Sequence, residues 1–456
     1  MAADIFAVPI LNKWLLHAPL HRITGLVNRQ VIDALQSGEA KDSSGQLSEL
    51  WAALSSPPIE SPQPLSGEIA PDFLGIIPTR GCNIGCVYCN FGGPTAEMTT
   101  MDPRIAVAAI DWMAERLAAE GRKKFVIHFF GGEPFVAGEI VDIVVHRARY
   151  VAAKLGLVAS FDASTNGVFP ESRAQFIGDY FDSVVLSFDG FRQYHDRNRP
   201  GHQGASTFDA VARTAKRLSL MPLNLCLRVC ITQDSVGDVA NITRWMCEEY
   251  QPAIINFETL TPGPLAASAG LALPDPFEFT KQFVAARRVA REFGIEAIYS
   301  AAETKRNRIS FCPVGSDTPI VGLEGKMNAC YLLEEDWRSR GIEMNFGRVL
   351  PNGSVQIDYE ALARIRTLPT EKPRCSRCFC QWSCAGGCHV NHTYPGCSLE
   401  YDEFCLQTRL ITACLLLEEI GREDLVEAIV GDRSALERLA NYDWDSITIG
   451  EPIYAN

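Results

Sequence analysis

Three cysteines, Cys82, Cys86 and Cys89, stand at C-x3-C-x2-C spacing in the stretch Thr79-Arg80-Gly81-Cys82-Asn83-Ile84-Gly85-Cys86-Val87-Tyr88-Cys89, just after the apolar run Phe73 to Ile77. Three thiolates on one short loop can hold three irons of a cubane iron–sulfur cluster. Four cysteines would close such a cluster into an electron carrier, whereas three leave one iron open to chelation by a small molecule. Zinc is the competing occupant, but it wants a fourth nearby donor, and the next cysteine in the chain is Cys226.

Further short polar stretches follow the loop at the ends of expected strands. Gly131-Gly132-Glu133-Pro134 comes first; two glycines let a backbone approach a ligand closely, and free carbonyls there can accept hydrogen bonds. Ser164-Thr165-Asn166-Gly167 comes next, with short polar side chains suited to ribose hydroxyls. Then come Ser187-Phe188-Asp189-Gly190, His195-Asp196-Arg197-Asn198-Arg199 and Gly204 to Phe208. Arg228 shares a strand face with Cys226 and Cys230, and an arginine among apolar neighbours needs an anionic partner.

In this order, the cysteine loop and the stretches after it resemble the radical S-adenosylmethionine (SAM) enzymes. The string S-x-D-G, H-D-x-x-R, G-x-S-T-F is similar to the peptide-modifying branch specifically. The resemblance implies that SAM binds the open iron of the Cys82, Cys86 and Cys89 cluster through its amino and carboxylate groups, and that it is cleaved to methionine and a 5′-deoxyadenosyl radical. It also implies the SAM contacts. Tyr88 lies beside the cofactor, and Gly131, Gly132, Glu133 and Pro134 bind its amino group. Ser164, Thr165 and Asn166 meet the ribose, Ser187 faces SAM, Arg199 orders its loop or reaches an anionic group, and Arg228 meets the SAM carboxylate.

A second array begins at Cys312, with Gly325 and Cys330 after it, then Cys375-x2-Cys378-x5-Cys384-x3-Cys388, then Cys405. Zinc is the physical alternative for such pairs. At every spacing the array resembles the SPASM domain, which carries two auxiliary [4Fe–4S] clusters and would bring the total to three. On that resemblance Cys375, Cys378, Cys384 and Cys405 ligate one auxiliary cluster, and Cys312, Cys330 and Cys388 hold the other. Residues 313 to 329 contain no cysteine, so the latter cluster is either open or closed by another group such as Cys397 or Cys380. Cys226, Cys230, Cys247 and Cys414 read as small buried hydrophobes.

The elements that must position these residues follow from periodicity. Strands are expected near residues 73–77, 125–130, 158–164, 183–188, 223–231 and 253–257. Helices are expected between them, near 103–120, 139–155, 171–180, 208–218, 239–250 and 276–293. Six βα units predict an α/β fold with a parallel sheet and helices outside; the resemblance implies that this is a partial (β/α)6 TIM barrel, with a small N-terminal α+β appendage and a C-terminal cysteine-rich SPASM domain. The expected divisions are 1–72, 73–298, 299–420 and a 421–456 tail, with the family resemblance running from about 73 to 415. In the appendage a strand is expected near 6–11, a helix near 28–36, an exposed polar stretch over 38–46 and a linker over 55–64. As in full barrels, chemistry belongs at the C-terminal ends of the strands, where the cysteine loop falls.

Composition bounds the rest. The chain has 456 residues, 42 basic and 55 acidic, a formal charge of −13 and 16 cysteines. No basic run stands out, which argues against a nucleic-acid partner. There is no signal-peptide pattern, and no stretch reaches the roughly 18 apolar residues of a membrane span. A soluble, cytoplasmic protein with metal-ligating rather than disulfide-bonded cysteines is expected.

The resemblance implies a radical SAM oxidoreductase that takes hydrogen from a ribosomally made precursor peptide and installs a carbon–carbon, carbon–oxygen or thioether cross-link, with a flavodoxin or ferredoxin as reductant. The alternative is a sulfatase-type maturase forming formylglycine. Against it, about eighty residues precede Cys82, and Tyr331 stands after the G-x4-C cysteine, where those maturases place an aspartate base. A non-enzymatic iron–sulfur electron carrier is the second alternative, opposed by the open three-cysteine loop. Candidate proton acceptors are Tyr331, Glu334, Glu335 and Asp336, although acidic clusters are usually solvated surface. Residues 1–72 serve either as a recognition element that pairs a strand with a leader peptide or as a cap on the barrel.

Overall fold

The structure is a computed structural model that describes residues 4–60, 62–91 and 97–440. It begins with an antiparallel meander of β1 (Phe6–Ile10), β2 (Lys13–Ala18) and β3 (Ile23–Val27), followed by α1 (Arg29–Ser37) and α2 (Gln46–Ser55). Two of these strands were not expected from the sequence. β2 is the central strand, in register with β1 from Phe6↔His17 to Ile10↔Lys13 and with β3 on its other side. Four of its consecutive residues, Leu15 to Ala18, are buried, so the polar–apolar alternation that marks a half-buried strand is missing. Ala7, Leu16 and Ala18 pack on Ile32, Leu35 and Leu54 of the two helices, while Phe6, Val8, Ile10 and Leu15 join the main core. The stretch expected to be exposed is partly buried: a short 3-10 turn over Glu39–Asp42 tucks Ala40 completely away.

The barrel sheet is parallel from β4 (Leu74–Ile76) through β5 (Lys124–Phe129), β6 (Val158–Thr165), β7 (Ser183–Ser187), β8 (Asn224–Ile231) and β9 (Ile254–Thr259) to β10 (Glu296–Tyr299). The helices on its outer face are α3 (Pro103–Ala119), α4 (Gly138–Leu155), α5 (Glu171–Tyr180), α7 (Phe208–Leu218), α8 (Val239–Tyr250) and α10 (Pro276–Glu292), while the short α6 (Arg192–Asn198) and α9 (Pro264–Ser268) lie in the connections after β7 and β9. Asp102 and Asp275 cap α3 and α10, each accepting from the N–H two residues on, with proline at the first helical position. β10 is a seventh strand beyond the six expected; at four residues it is too short to show a clear period. Outward residues such as Phe125, Ile127 and Phe129 pack under the helices, and the alternate positions line the lumen.

The C-terminal region joins the same sheet. β11 (Ile320–Val321) pairs parallel with β4, placing Ile320 opposite Gly75, and β12 (Lys326–Asn328), β13 (Asn345–Val349) and β14 (Val355–Ile357) continue it antiparallel. The remaining helices are α11 (Glu334–Arg338), α12 (Tyr359–Thr367), α13 (Gln381–Cys384), α14 (Glu403–Glu419), α15 (Glu423–Val430) and α16 (Arg433–Ala440). α14 is buried on nearly every face from Gln407 to Leu417, as expected of a helix enclosed by neighbours. Its Glu418 is held by Arg287 at 3.2 Å and by Arg291, both on α10. The end of the chain from Trp444 to Tyr454 lies outside the described residues. Among the described residues no helix is long and apolar enough to cross a membrane.

Candidate active site

The three-cysteine loop sits at the C-terminal end of β4, clamped by the two glycines after β5. Gly132 N donates to Thr79 O at 3.1 Å and Glu133 N to Gly81 O at 3.0 Å. A Cβ on Gly132 would lie 2.1 Å from Gly81 O and 2.3 Å from Arg80 O, and one on Gly131, at φ +142°, 2.4 Å from Thr79 O. Any side chain at either position would push the cysteine loop away from β5. Glu133 is buried, and its carboxylate accepts from Asn166 N at 2.6 Å, Thr165 Oγ1 at 2.8 Å and Phe135 N at 3.2 Å. Burial raises its pKa to about 7 against these hydrogen bonds. Pro134, also buried, opens a short 3-10 turn. The carboxylate thereby ties the β6 end to the β5 end. Asn166, fixed by that tie, points Nδ2 at Cys82 Sγ, 3.6 Å away, and at Asn83 Oδ1, 2.9 Å away.

A second tie reaches the loop from β7. Asp189 is fully buried. It accepts from Tyr88 OH at 2.7 Å and Asn198 Nδ2 at 3.2 Å on one oxygen, and from Arg199 Nε at 3.1 Å and Cys230 N at 3.2 Å on the other. Arg199 points Nη1 at Cys86 Sγ, 3.8 Å away, and lies 5.2 Å over the Tyr88 ring. Burial alone would lower the guanidinium's pKa, but Asp189, Tyr88 and Cys86 outweigh it and hold the pKa well above the ordinary value. His195 is buried and neutral, its pKa lowered to about 4 by burial. Its Nδ1 accepts from Asp189 N at 3.3 Å, which leaves Nε2–H to donate to Thr207 Oγ1 at 3.1 Å; Thr207 Oγ1 in turn donates to Arg199 O at 2.6 Å. The H-D-x-x-R stretch is thus a scaffold that aims one cation at one cysteine. Burial pushes the Cys86 thiol up to about 12 against the pull of Arg199.

Below the loop the lumen is lined by the alternate strand residues His128, Asp162, Ser164, Ser187, Arg228 and Glu258, all partly exposed to it. Arg228 and Glu258 approach to 4.0 Å. Tyr331 closes one side. Its ring packs on Phe130 at 4.6 Å and His128 at 5.8 Å between centroids, and its buried hydroxyl has no hydrogen-bond partner. That hydroxyl would sit 2.9 Å from a Cβ at Gly75, so the glycine of β4 makes room for it. Burial drives the Tyr331 hydroxyl's pKa far above the ordinary phenol range; it can donate a hydrogen bond but is a poor base. Arg80 Nη1 donates to Tyr331 O at 2.8 Å and joins the cysteine loop to the second array. The acids beside Tyr331 are otherwise engaged: Glu334 pairs with Lys326 at 2.8 Å and Arg338 at 3.0 Å, Asp336 accepts from Leu333 N at 3.3 Å to start α11, and Glu335 is exposed.

The second array surrounds a small pocket lined by Cys375, Cys378, Cys384 and Cys405 together with Arg374, Cys380, Tyr401 and Arg409. Arg374 points Nη1 at Cys405 Sγ, 3.7 Å away, and Arg409 lies 3.9 Å over the Tyr401 ring. Cys380 stands with this set, its thiol shared with Cys378. Cys312, Cys330 and Cys388 form the other set, each thiol pushed up chiefly by burial. Among the described residues no three His, Cys, Asp or Glu groups converge on one ion. Four thiols with two flanking arginines fit an iron–sulfur cluster, whose added negative charge such cations would balance. Sequence reasoning did not assign roles to Asp189, Arg80, Arg374, Arg409 or Lys372. A basic residue next to a ligand cysteine, as in Lys372-Pro373-Arg374-Cys375, was the available signal.

Comparison with known proteins defines the class. Residues 76–230 match the model of the Radical SAM superfamily; the barrel is a radical SAM domain. Over 79% of its length the chain has the fold of a solved structure of native anSMEcpe with bound AdoMet and Cp18Cys peptide, at TM-score 0.60 and 18% identity, covering 99% of that chain. It is also similar to Streptococcus suis SuiB bound to S-adenosylmethionine, at TM-score 0.50 and 13% identity over 85% and 95% of the two chains. Residues 76–230 are thus a radical SAM domain, and the chain shares the fold of these solved structures. A cysteine-type anaerobic sulfatase-maturating enzyme of Clostridium perfringens (strain 13 / Type A) is 27% identical over 174 residues, 38% of this chain; the match spans 47%, about half, of that relative's length.

Proposed function

We propose that the protein is a radical SAM maturase that oxidises a side chain of a bound peptide by two electrons. The observation that carries the reading is the clamped loop of Cys82, Cys86 and Cys89 over a polar, open lumen, with a second set of buried cysteines on the same sheet. SAM bound at the loop's cluster would supply a 5′-deoxyadenosyl radical for hydrogen abstraction. The chain's own residues would do the positioning. Gly131 and Gly132 seat the loop, Arg199 faces Cys86, and Arg228 and Ser187 line the approach to the substrate. Clusters at the two auxiliary sets would receive the electron the product must lose, and a flavodoxin or ferredoxin would supply the reductant.

Kinship with the C. perfringens sulfatase-maturating enzyme supports an aldehyde (formylglycine) product from a cysteine or serine. A cross-link in a ribosomally made peptide is the second reading, and two observations favour it. Position 331 offers a buried hydroxyl in place of a carboxylate. The N-terminal meander also leaves β3 half-exposed along its whole length while the opposite edge, β1, is mostly buried; an open edge of this kind accepts an added peptide strand. The test is mass spectrometry of peptides incubated anaerobically with the reduced holoenzyme. A carbonyl captured by a hydrazide on a sulfatase-type Cys or Ser peptide establishes the aldehyde reading. Loss of two hydrogens from a peptide encoded beside the gene, with a stretch that resists fragmentation, establishes the cross-link. Unmodified peptides of both kinds, with SAM cleavage intact, overturn the maturase reading.

A further inference from the structure

Lys372 is a buried lysine, its side chain about 6% exposed, lodged inside the second cysteine array. Its terminal atoms fill the space over Gly386. A Cβ on that glycine, at φ +78°, would lie 2.4 Å from Lys372 Cδ, 2.9 Å from Nζ and 3.1 Å from Cys375 Sγ. Nζ donates to the carbonyl of Ala385 and lies 3.5 Å from His389 Nε2. His389 follows Cys388 in the chain. It shares a 3.2 Å hydrogen bond with Ser310 Oγ, which in turn donates to the carbonyl of Cys312 at 3.0 Å. The ammonium therefore stands beside Cys375 of one set, while His389, next to Cys388, and Ser310, bonded to the carbonyl of Cys312, lead from it to the other.

A buried ammonium with one carbonyl for a partner is costly, and such charges persist when an opposite charge accompanies them. No carboxylate faces Lys372 among its named neighbours. The anions that remain are the cysteine thiolates, which are present only when the sets are loaded. Arg374 faces Cys405, Arg409 faces Cys378 and Arg80 faces the Cys330 side, each on one set, whereas Arg308, bonded to the carbonyls of Ser383 and Ser300, acts on Cys384 and Cys312 as well.

We propose that Lys372 is a counter-cation shared by the two auxiliary cysteine sets, a fixed positive charge that stabilises added negative charge at both and raises their reduction potentials together. The proposal rests on the reading that both sets hold clusters. At the low effective dielectric of a buried site, a charge within a few ångströms of two acceptors acts on both.

The experiment is an anaerobic redox titration of the full-length holoprotein followed by electron paramagnetic resonance, with iron analysis first, on wild type, K372Q and K372R. Iron for fewer than three clusters in the wild type would overturn the cluster reading itself, and the proposal with it, before any variant is made. With three present, K372Q is expected to move both auxiliary midpoints to lower potential and leave the Cys82, Cys86 and Cys89 cluster in place, and K372R to restore both. Loss of iron from both sets in K372Q but not in K372R supports the same charge requirement. A shift, or an iron loss, confined to one set overturns the sharing. Unchanged midpoints, or K372R behaving as K372Q does, assign the lysine to packing over Gly386.

Discussion

The two cysteine arrays are built in opposite ways. The loop of Cys82, Cys86 and Cys89 is held from outside by backbone, with Gly131 and Gly132 pressed against it, and a single guanidinium, Arg199, reaches one of its sulfurs. All three cysteines keep some exposure. The C-terminal array is wrapped instead. Cys378, Cys380 and Cys384 are buried, and Lys372, Arg374 and Arg409 bring three cations into its interior. The difference matches two tasks. A site that must admit a small molecule cannot be enclosed, whereas sites that only accept charge are best enclosed and supplied with fixed countercharge.

Breaking each array should therefore fail differently. Cys86→Ala is expected to abolish 5′-deoxyadenosine formation under reducing, anaerobic conditions, with loss of one cluster's iron; chromatography of the nucleoside checks it, and surviving cleavage would remove the loop from the chemistry. Cys384→Ala is expected to leave that cleavage in place while the modified peptide falls roughly tenfold or more, a barrier change of about 1.4 kcal/mol or above. If both products fall in parallel, the two arrays are not functionally separate.

Asp189→Ala leaves the buried Arg199 without its carboxylate. Loss of one partner of a buried pair costs about 3–5 kcal/mol, and a lowered unfolding midpoint measures it. The same variant frees the cation aimed at Cys86, so the midpoint potential of that cluster should move while the auxiliary midpoints stay.

The smallest effect is a pH dependence of stability from buried histidines and one buried glutamate. Burial lowers the pKa values of His17 and His195 from 6.5 to about 4, so the folded state holds neutral imidazoles while the unfolded chain takes up protons below 6.5. Their contribution is complete above pH 6.5 and is lost as pH falls toward 4, each on the order of 1.4 kcal/mol per pH unit in that window. Glu133 runs the other way. Burial raises it from 4.5 to about 7, so its contribution is present at low pH and lost as pH rises through 7. With His17, His195 and, in the same way, His128 against one glutamate, the unfolding midpoint should fall between pH 6.5 and 4.5. His17→Gln should flatten that fall and Glu133→Gln should steepen it; a slope unchanged in both would contradict the assignment.

By itself the sequence determined what lies close along the chain. Ligand spacing within a loop is local, so the C-x3-C-x2-C and C-x2-C-x5-C-x3-C runs were legible, and the strands and helices of the barrel fell within a residue or two of expectation because each half-buried element shows its period. Only the tertiary structure decided what depends on distant partners. β11 is two residues long and gains its meaning from pairing with β4, more than two hundred residues away. β2 hid its period because both of its faces are covered. Asp189, quoted in sequence as part of a turn, became the junction of Tyr88, Asn198, Arg199 and Cys230. Lys372 was given no role from sequence; the fold placed Gly386 beneath it and Cys375 beside it. A buried charge is defined by the groups that enclose it, and the chain brings those groups together only when it folds.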